Sequence, residues 1–593
     1  MTSFNQKKIR NELYTLALAC FVSISLLTFE GFENSASPIT VFLFLLGIYL
    51  IIHKAILLPY DRIRNILVVI FAALLSGTLV VGAKIDLWKS PGFSSFAPKD
   101  IVFWLGLCVI LYFTIMLLTD FAVKREFSLC CRKQKKTFFL IVFAVICSAW
   151  LPYFLIFYPG ILSSDSFSHV NQFLGITPLN NHHPVLYTLI VELFMSIGMR
   201  FGNITVGVAC FSLFQLITVA AGLSYFVYWL SSKGAPKFVI GLTIVFFAFN
   251  PVIATYSITM WKDIFFAVWM LLLMLFLYDT IESGGELICT ACGSARFAIL
   301  STLVSFARNN GRYVIFVLLM LLIIVYRKRI KRVLPLSLSI LTFVFVIQGP
   351  VYGALHIKQS NFAESVGIPI QQIGFTVANG GIVTEEQKAI LDQIMPLDKW
   401  GEKYVNWSPD SIKFDPDFNN EYLNENKGKF IKIWASMLPN NFIKYVKAYL
   451  MQTIGYYHIG TTNWVFYPGD AVYEQNIQKS DLLGKLFGQE FAPSVQKMTE
   501  KLIDAPIISA VFSISTMFWM TLALCIVLIV KRRSKYILTV IPLLLLWGTL
   551  MVAAPTFCEF RYMYSFHLAL PLVLFMMFAK QGNFLSSEEK QYG

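Results

Sequence analysis

The residues that could do chemistry are concentrated in one polar loop of an otherwise apolar chain. Asp165 is the only carboxylate between residues 127 and 191, and His169, His182 and His183 follow it. Three of the seven histidines of the chain therefore lie close to one isolated acid. A carboxylate can take up a proton, and an imidazole can hydrogen-bond or bind a metal. We predict that this loop, over residues 158–200, is catalytic.

Three further polar clusters interrupt apolar stretches, namely Trp-Lys-Asp at 261–263, Arg-Asn-Asn-Gly-Arg at 308–312 and Glu-Phe-Arg-Tyr at 559–562. A charge embedded in a membrane costs about 2.5–3.5 kcal/mol per residue on insertion scales, so such charges are seldom idle. Guanidinium groups bind phosphate oxygens in a bidentate fork. We predict that a phosphate or pyrophosphate binds here. The candidate phosphate-binding residues are Lys262, Arg308, Arg312 and Arg561. The supporting candidates are His169, Asp263, Asn310, Glu559 and Tyr562.

The composition indicates which kind of protein must position these residues. The chain has 593 residues, of which 57% are hydrophobic and 14% are charged, and its mean hydropathy is +0.66. Soluble proteins carry about 25% charged residues. A polytopic membrane protein is therefore predicted. The net charge of +14 indicates basic cytoplasmic loops, and we expect no nucleic-acid partner.

Apolar runs of sufficient length predict about 14 membrane spans in an all-α fold. They cover residues 12–29, 38–57, 65–82, 101–119, 137–157, 204–230, 237–254, 262–279, 295–307, 313–326, 332–351, 506–530, 536–554 and 562–579. If 295–326 is instead a re-entrant hairpin, the number is 12. Residues 184–199 are also apolar, but this run is short and contains Glu192. We predict that it is a helix lying at the outer interface.

Basic residues in short loops set the orientation. They occur at residues 7–10, 54–64, 124–136, 233–237, 327–332 and 531–535. Both termini are then cytoplasmic, and all the candidate residues lie on the outer face. We predict an N-terminal four-helix membrane region at 1–136 and a membrane core at 137–352. A mixed α/β or mainly α external domain at 353–505 and C-terminal membrane helices at 506–593 complete the chain. Aromatic residues of the external domain, Trp464 among them, either stack on sugar rings or form the core of that domain.

The order of these motifs resembles the GT-C class of membrane glycosyltransferases. It is most similar to an uncharacterised bacterial family of multipass proteins. The resemblance covers roughly residues 137–580, and the first four predicted spans lie outside it. It is carried by Tyr-Pro-Gly at 158–160, Asp-Ser at 165–166, Asn-His-His-Pro at 181–184 and the three clusters above.

This resemblance implies a reaction and a location. A sugar carried on a polyprenyl phosphate would be transferred, with inversion, to a glycan, lipid or protein of the cell envelope. The site would lie on the outer face of a bacterial cytoplasmic membrane. By position Asp165 would be the general base, and His182 and His183 would match a His-Pro element close to the acid and to the donor. Many members of the class carry a second acid where this chain has Ser166. The resemblance implies no certain cofactor, and the presence of a divalent metal stays open.

Each motif also has a simpler explanation. Asp165 could cap a helix that begins at Ser166, and Lys262 could pair with Asp263. The arginines at 308 and 312 could reach towards lipid headgroups, and the Glu and Arg of the last cluster could pair with one another. Two rival functions also stay open, namely a polymerase or ligase of lipid-linked glycans, and a transporter or flippase of such substrates.

Overall fold

A computed structural model describes residues 2–27, 38–86, 92–129, 134–466, 488–553 and 556–580. Within these residues the fold is helical apart from two small sheets. One pairs Ile85–Asp86 with Gly92–Phe93 in antiparallel orientation, and the other pairs Phe127–Ser128 with Ala579–Lys580 in parallel orientation. The prediction of an all-α polytopic membrane protein is confirmed.

Ten helices of the described ranges are long and apolar enough to cross a membrane. They are Ile9–Leu27, Pro38–Ile56, Arg62–Ala83, Pro98–Lys124, Lys136–Ile156, Ile204–Ser232, Lys262–Glu282, Arg327–Ala354, Ser534–Val552 and Phe560–Phe578. Four apolar helices are shorter, namely Lys237–Phe249, Ala291–Ala307, Gly311–Val325 and Ile514–Val530. Arg308 to Asn310 connect two of these shorter helices, which pack against each other. The apolar run at 184–199 forms a separate helix of 16 residues, Val185–Arg200.

Two predicted spans are shorter than their apolar runs. The helix Lys237–Phe249 ends at Asn250, because the following Pro251 disfavours helical backbone in the residue before it. The Asn250 side chain accepts hydrogen bonds from the next backbone N–H groups and starts the short helix Pro251–Tyr256. The run at 506–530 becomes a regular helix only from Ile514. Apolar composition alone did not reveal the break at Asn250 or the later start of the helix at Ile514.

The segment predicted to be external is built from helices in its described residues, 353–466 and 488–505. They are Gly367–Ala378, Glu385–Ile394, Leu397–Glu402, Asp410–Lys413, Asn420–Glu425, Lys427–Thr453 and Ala492–Ile503. Apart from Ala492–Ile503, these helices share a core of their own around Trp400. The helix Lys427–Thr453 is kinked at Asn441, which departs from helical backbone angles. Beyond the kink, Ala448 and Met451 pack into the main core of the membrane helices. This helix therefore connects the two cores.

The helix Lys262–Glu282 lies at the centre of the membrane helices. It is apolar on all its faces and almost entirely buried, as expected of a helix surrounded by others. Its first residue belongs to the polar cluster described below. At its other end, Lys233 Nζ lies 2.7 Å from Asp279 Oδ1 and also pairs with Glu282. The two ends of this helix therefore mark two polar layers.

A second ion cluster lies with the basic loops. Glu126 Oε1 is 3.0 Å from Lys531 Nζ and 2.6 Å from Arg533 Nη1. Glu126 precedes the strand Phe127–Ser128, which pairs with the strand Ala579–Lys580 that follows the last helix. This cluster therefore attaches the first four helices to the C-terminal ones.

Glu126→Gln should destabilise this attachment. The substitution leaves Lys531, whose side chain is 3% exposed, without its carboxylate. Removal of one partner of a buried ion pair costs about 3 kcal/mol or more of unfolding free energy. Glu286→Gln is the matched control, because Glu286 is 75% exposed and lies 3.6 Å from Arg329. Unfolding of the purified protein in detergent would measure both, and equal losses would contradict the prediction.

Candidate functional site

The loop that carries Asp165 is held against the start of the central helix by backbone contacts. Ile161 donates its N–H to the Ile258 carbonyl at 3.0 Å, and Met260 donates to the Ile161 carbonyl at 2.9 Å. Gly160, just before, has a φ of +145°. A Cβ at this position would lie 2.1 Å from the Ser212 hydroxyl. The glycine of the Tyr-Pro-Gly motif therefore permits the close approach of this loop to the helix Ile204–Ser232, which carries Ser212, and to the Ile258 carbonyl, 3.1 Å from the same Cβ position.

Asp165 lies in the first turn of the helix Ser164–Phe173 and does not cap it. The cap is Ser163, whose backbone N–H is bound by the Ser166 hydroxyl at 3.0 Å. The interpretation of Asp165 as a helix cap is therefore wrong, because the helix begins two residues before the expected position. The Trp261 indole N–H donates to the Ser163 hydroxyl at 2.7 Å. The turn that carries Asp165 is thus fixed to the residue that precedes Lys262.

One carboxylate oxygen of Asp165 accepts hydrogen bonds from two cations. Lys262 Nζ and Arg561 Nη1 each lie 2.9 Å from Asp165 Oδ2. The three side chains come from distant parts of the chain, and each is partly accessible, with exposed fractions of 14–20%. The fold therefore joins the predicted loop to two of the three other clusters.

The charges around Asp165 determine its protonation. Burial by itself would raise its pKa. The positive charges of Lys262 and Arg561, together with the hydrogen bond from Lys262, outweigh burial and hold the pKa well below its ordinary value. Asp165 is therefore a stable anion in this arrangement. A carboxylate with so low a pKa accepts a proton poorly while both cations remain on it.

The rings of the three histidines contact one another beside Lys262, in tilted and edge-to-face arrangements. The ring of His183 lies 4.5 Å from that of His182 and 4.9 Å from that of His169. Lys262 Nζ is 3.1 Å from His183 Nδ1, and His169 Nδ1 is 2.8 Å from the Thr188 hydroxyl. Because the ammonium group is a donor, His183 Nδ1 acts as the acceptor.

These histidines are neutral near pH 7. Burial, followed by the charge of Lys262, lowers the pKa of His169 to about 3 and that of His183 well below its ordinary value. Burial also lowers the pKa of His182. The imidazoles therefore offer hydrogen bonds and ring faces, and the positive charge of the site comes from its lysine and arginines.

The cluster continues through a second acid and a second guanidinium group. Asp263 Oδ1 lies 3.2 Å from Arg308 Nε, and both side chains are buried. Arg308 also donates to the Tyr562 carbonyl at 3.0 Å, and its guanidinium carbon lies 4.6 Å from the centre of the Tyr562 ring. Lys262 and Asp263 are neighbours in sequence, yet each pairs with a residue of another cluster.

Glu559 completes the cluster. Its Oε1 lies 3.1 Å from Arg561 Nε, as the simpler explanation of this motif proposed, but Arg561 also binds Asp165. The guanidinium carbon of Arg561 lies 4.7 Å from the centre of the Trp261 ring. Burial raises the pKa of Glu559, although Arg561 opposes this effect. The cluster therefore contains three acids and three cations, and each acid is paired with at least one of the cations.

Two candidates lie outside this network. Arg312 donates to the Gln348 side chain and to the Tyr313 hydroxyl, each at 3.1 Å. Asn310 donates to Thr549 at 3.1 Å. Its neighbour Asn309, which sequence reasoning missed, donates to the His182 carbonyl at 3.1 Å and so supports the histidine loop. Nothing in the motif distinguishes two adjacent asparagines before the fold is known.

In the part of the chain that the structure describes, no group of three His, Cys, Asp or Glu side chains is placed to hold a metal ion. Asp165 and His169 lie four residues apart on one short helix, Ser164–Phe173. His169, however, turns towards Thr188, and the cations occupy Asp165 Oδ2.

The family model described as "Family of unknown function (DUF6020)" matches residues 174–591, which is more than half of the chain. The chain belongs to this family. The expected membership of an uncharacterised family is thereby confirmed. The matched region includes Lys262, Arg308 and Arg561, but it begins after Asp165. No curated protein and no solved structure matches the chain.

The neutral histidines predict a pH dependence of stability. An unfolded histidine binds a proton below about pH 6.5, whereas folded His169 does so only near its lowered pKa of about 3. Unfolding free energy should therefore fall as the pH decreases through this window. His169→Asn, whose amide oxygen can replace Nδ1 towards Thr188, should reduce the loss at pH 5 by about 2 kcal/mol.

Unfolding in detergent at pH 7 and pH 5 would measure this effect. His356→Asn is the matched control, since His356 is exposed and has a φ of 54°, a backbone conformation that asparagine tolerates. If His169→Asn and His356→Asn show the same pH dependence as the unaltered protein, the assignment of a neutral buried His169 is wrong.

Proposed function

We propose that this chain is a membrane glycosyltransferase. It would move a sugar from a polyprenyl-phosphate donor to a glycan, lipid or protein acceptor of the cell envelope. The observation that supports this proposal is the partly accessible Asp165 carboxylate, which holds Lys262 and Arg561 on one oxygen. Such a reaction needs one proton acceptor and fixed positive charge, and the cluster contains both.

The positive charge suits the leaving group. When the bond between the anomeric carbon and the donor oxygen breaks, the electron pair goes to a phosphate oxygen. Phosphate is a weakly basic anion, so it needs charge stabilisation more than a proton. Arg561 can bind phosphate oxygens through its guanidinium fork, and Lys262 can do so as a compact charge. Buried Arg308, which is paired with Asp263, would add positive charge near the same site without contacting the phosphate.

Donor binding would then activate Asp165. Phosphate oxygens compete with Asp165 Oδ2 for Lys262 and Arg561. As these cations move towards the phosphate, the effect that holds the pKa of Asp165 low becomes weaker. The carboxylate can then take the proton of an acceptor hydroxyl as that hydroxyl attacks the anomeric carbon. Attack opposite the departing phosphate inverts the configuration. In this mechanism the base becomes effective only when the donor is in place.

Two polar layers support the proposed location. Arg327 to Arg329, Lys531 and Arg533 lie at the helix ends opposite Lys262, Arg308 and Arg561. The end richer in loop lysines and arginines is normally cytoplasmic. The site would therefore face the outer side of a bacterial cytoplasmic membrane, where a polyprenyl tail could remain in the bilayer.

Asp165→Asn should abolish transfer without preventing donor binding. The amide keeps the size of the side chain but cannot accept the proton, and loss of a positioned base costs about 10²-fold or more in rate. Labelled donors and membrane extracts would first identify the activity of the unaltered protein. Transfer by the purified variant would then be measured, with Asp398→Asn on the exposed surface as control. Unchanged transfer by a folded Asp165→Asn protein would exclude Asp165 as the base.

Phosphate recognition has its own test. Lys262→Met and Arg561→Met should each weaken polyprenyl-phosphate binding by about 10-fold or more, because each removes a charge-assisted hydrogen bond. Arg312→Met is the matched control, since Arg312 binds Gln348 and Tyr313 outside the cluster. Calorimetric titration in detergent would measure the affinities. If only the Arg312 variant binds more weakly, the assignment of the phosphate site to Lys262 and Arg561 is wrong, and Arg312 is the phosphate-binding residue.

A further inference from the structure

A cavity of about 470 Å³ lies beside the Asp165 cluster. Ser164, next to Asp165 in the chain, and Arg561, which is bonded to Asp165, both line it. Its other walls come from the segment around Trp464 and from the end of the helix Ala492–Ile503. The volume lies within the range of about 300–1,000 Å³ that is typical of small-molecule sites. A ligand in this cavity would therefore be adjacent to the proposed base.

Aromatic rings form much of the wall. Tyr256, Trp261, Trp464 and Phe466 line the cavity. Trp464 is 40% exposed. Its backbone is fixed, because its N–H donates to the Cys558 carbonyl at 3.1 Å and its carbonyl accepts from Phe560 N–H at 3.2 Å. An accessible indole on a fixed backbone gives a rigid apolar face with a polar edge. Such a face fits the C–H surface of a sugar ring.

The charged groups of the wall are mainly acidic. Glu500, Asp504 and Glu559 line the cavity, and Arg561 is the only Lys or Arg among its described lining residues. Arg561 already pairs with Glu559 and Asp165. Carboxylates accept hydrogen bonds from hydroxyl and ammonium groups but repel other anions. A phosphate or a sugar carboxylate would therefore be disfavoured here.

The lining also contains an unused hydrogen-bonding group. Asn463 is 9% exposed, and its side-chain oxygen accepts from the Ile514 N–H at 2.9 Å. Among the residues that the structure describes, its amide nitrogen has no hydrogen-bond partner. Buried polar groups are normally hydrogen-bonded. A hydroxyl oxygen of a bound sugar is one group that could satisfy this donor after a small side-chain rotation.

We propose that this cavity binds the acceptor sugar, and that it selects a ring that is neutral or carries an amine over one that carries a carboxylate. The role as acceptor site depends on the proposed function, whereas sugar binding and its charge selectivity do not. The donor phosphate would occupy the cationic side of Arg561, towards Lys262, and the acceptor would occupy the acidic side, towards Glu559. The two substrates would then meet at Asp165.

Sugar binding to the purified full chain tests this inference directly. Saturation-transfer NMR would be used, in a detergent without a sugar headgroup, because such headgroups could compete. The probes are glucose, glucosamine and glucuronic acid, and the corresponding galactose series. Within at least one series, the neutral or amine-bearing sugar should bind at least about tenfold more tightly than the acid. Absence of binding in both series, or equal binding of the acids, would overturn the proposal.

Variants connect the binding to the cavity. Trp464→Ala should abolish it, and Trp464→Tyr should restore part of it, since an aromatic face returns. Glu500→Gln combined with Asp504→Asn should remove most of the discrimination against the acid while neutral sugars still bind. The same change of charge at exposed Glu421 and Glu425, outside the lining, should have no effect. Discrimination that persists in the Glu500/Asp504 variant would contradict the assignment.

These outcomes are separate from those of the proposed function. If the unaltered protein binds sugars with the expected charge selectivity but does not bind polyprenyl phosphate, the glycosyl-transfer proposal is refuted and the sugar site is retained. If it binds polyprenyl phosphate but no sugar, the sugar site is refuted and the glycosyl-transfer proposal is retained.

Discussion

The polar site depends on one interaction, in which Asp165 Oδ2 accepts from both Lys262 and Arg561. An acid at the ends of apolar helices is stable as an anion only if opposite charges compensate its loss of water. The two cations come from the central helix and from the last membrane helix, and the acid comes from the loop after the fifth helix. This compensation therefore also fixes the relative positions of three segments that are far apart in sequence. The backbone pairing of Ile161 with residues 258–260 strengthens the same arrangement.

The pairing of opposite charges limits what the site can bind. The three acids and three cations of the cluster balance, and each acid contacts at least one cation. An anionic ligand can enter only by taking cations from a carboxylate, and the released carboxylate then becomes more basic. The histidines cannot supply a compensating charge, because burial keeps them neutral. A site of this kind couples the arrival of an anion to the appearance of a base. A site that only binds phosphate would need the cations but not the carboxylate that is paired with them.

Much of this arrangement could be predicted from the sequence. The apolar runs predicted most of the long helices. The basic loops predicted that the four motifs lie on one side, and most of the candidate residues are close together in the fold. The predictions that were wrong depended on the directions of individual side chains, which the composition does not determine. The motif at 308–312 offered Asn310 and Arg312, but a helix that starts at Gly311 turns both towards other partners and leaves Asn309 for the histidine loop. Likewise Lys262 and Asp263 point in different directions, because adjacent helical residues do not face each other.

The helix positions at the site also explain why a single acid could suffice. Ser166 stands where a second acid would be expected by resemblance, and its hydroxyl completes the cap with Ser163 and binds the Met260 carbonyl. An acid there would place a second negative charge in a turn where Ser166 is fully buried. The positive charge at Asp165 comes instead from side chains of distant helices. In the proposed mechanism, the positive charge near the phosphate would come from the ammonium group of Lys262 and the guanidinium group of Arg561. With Ser166 in place of a second acid, the two cations at Asp165 have to balance only one carboxylate in this turn.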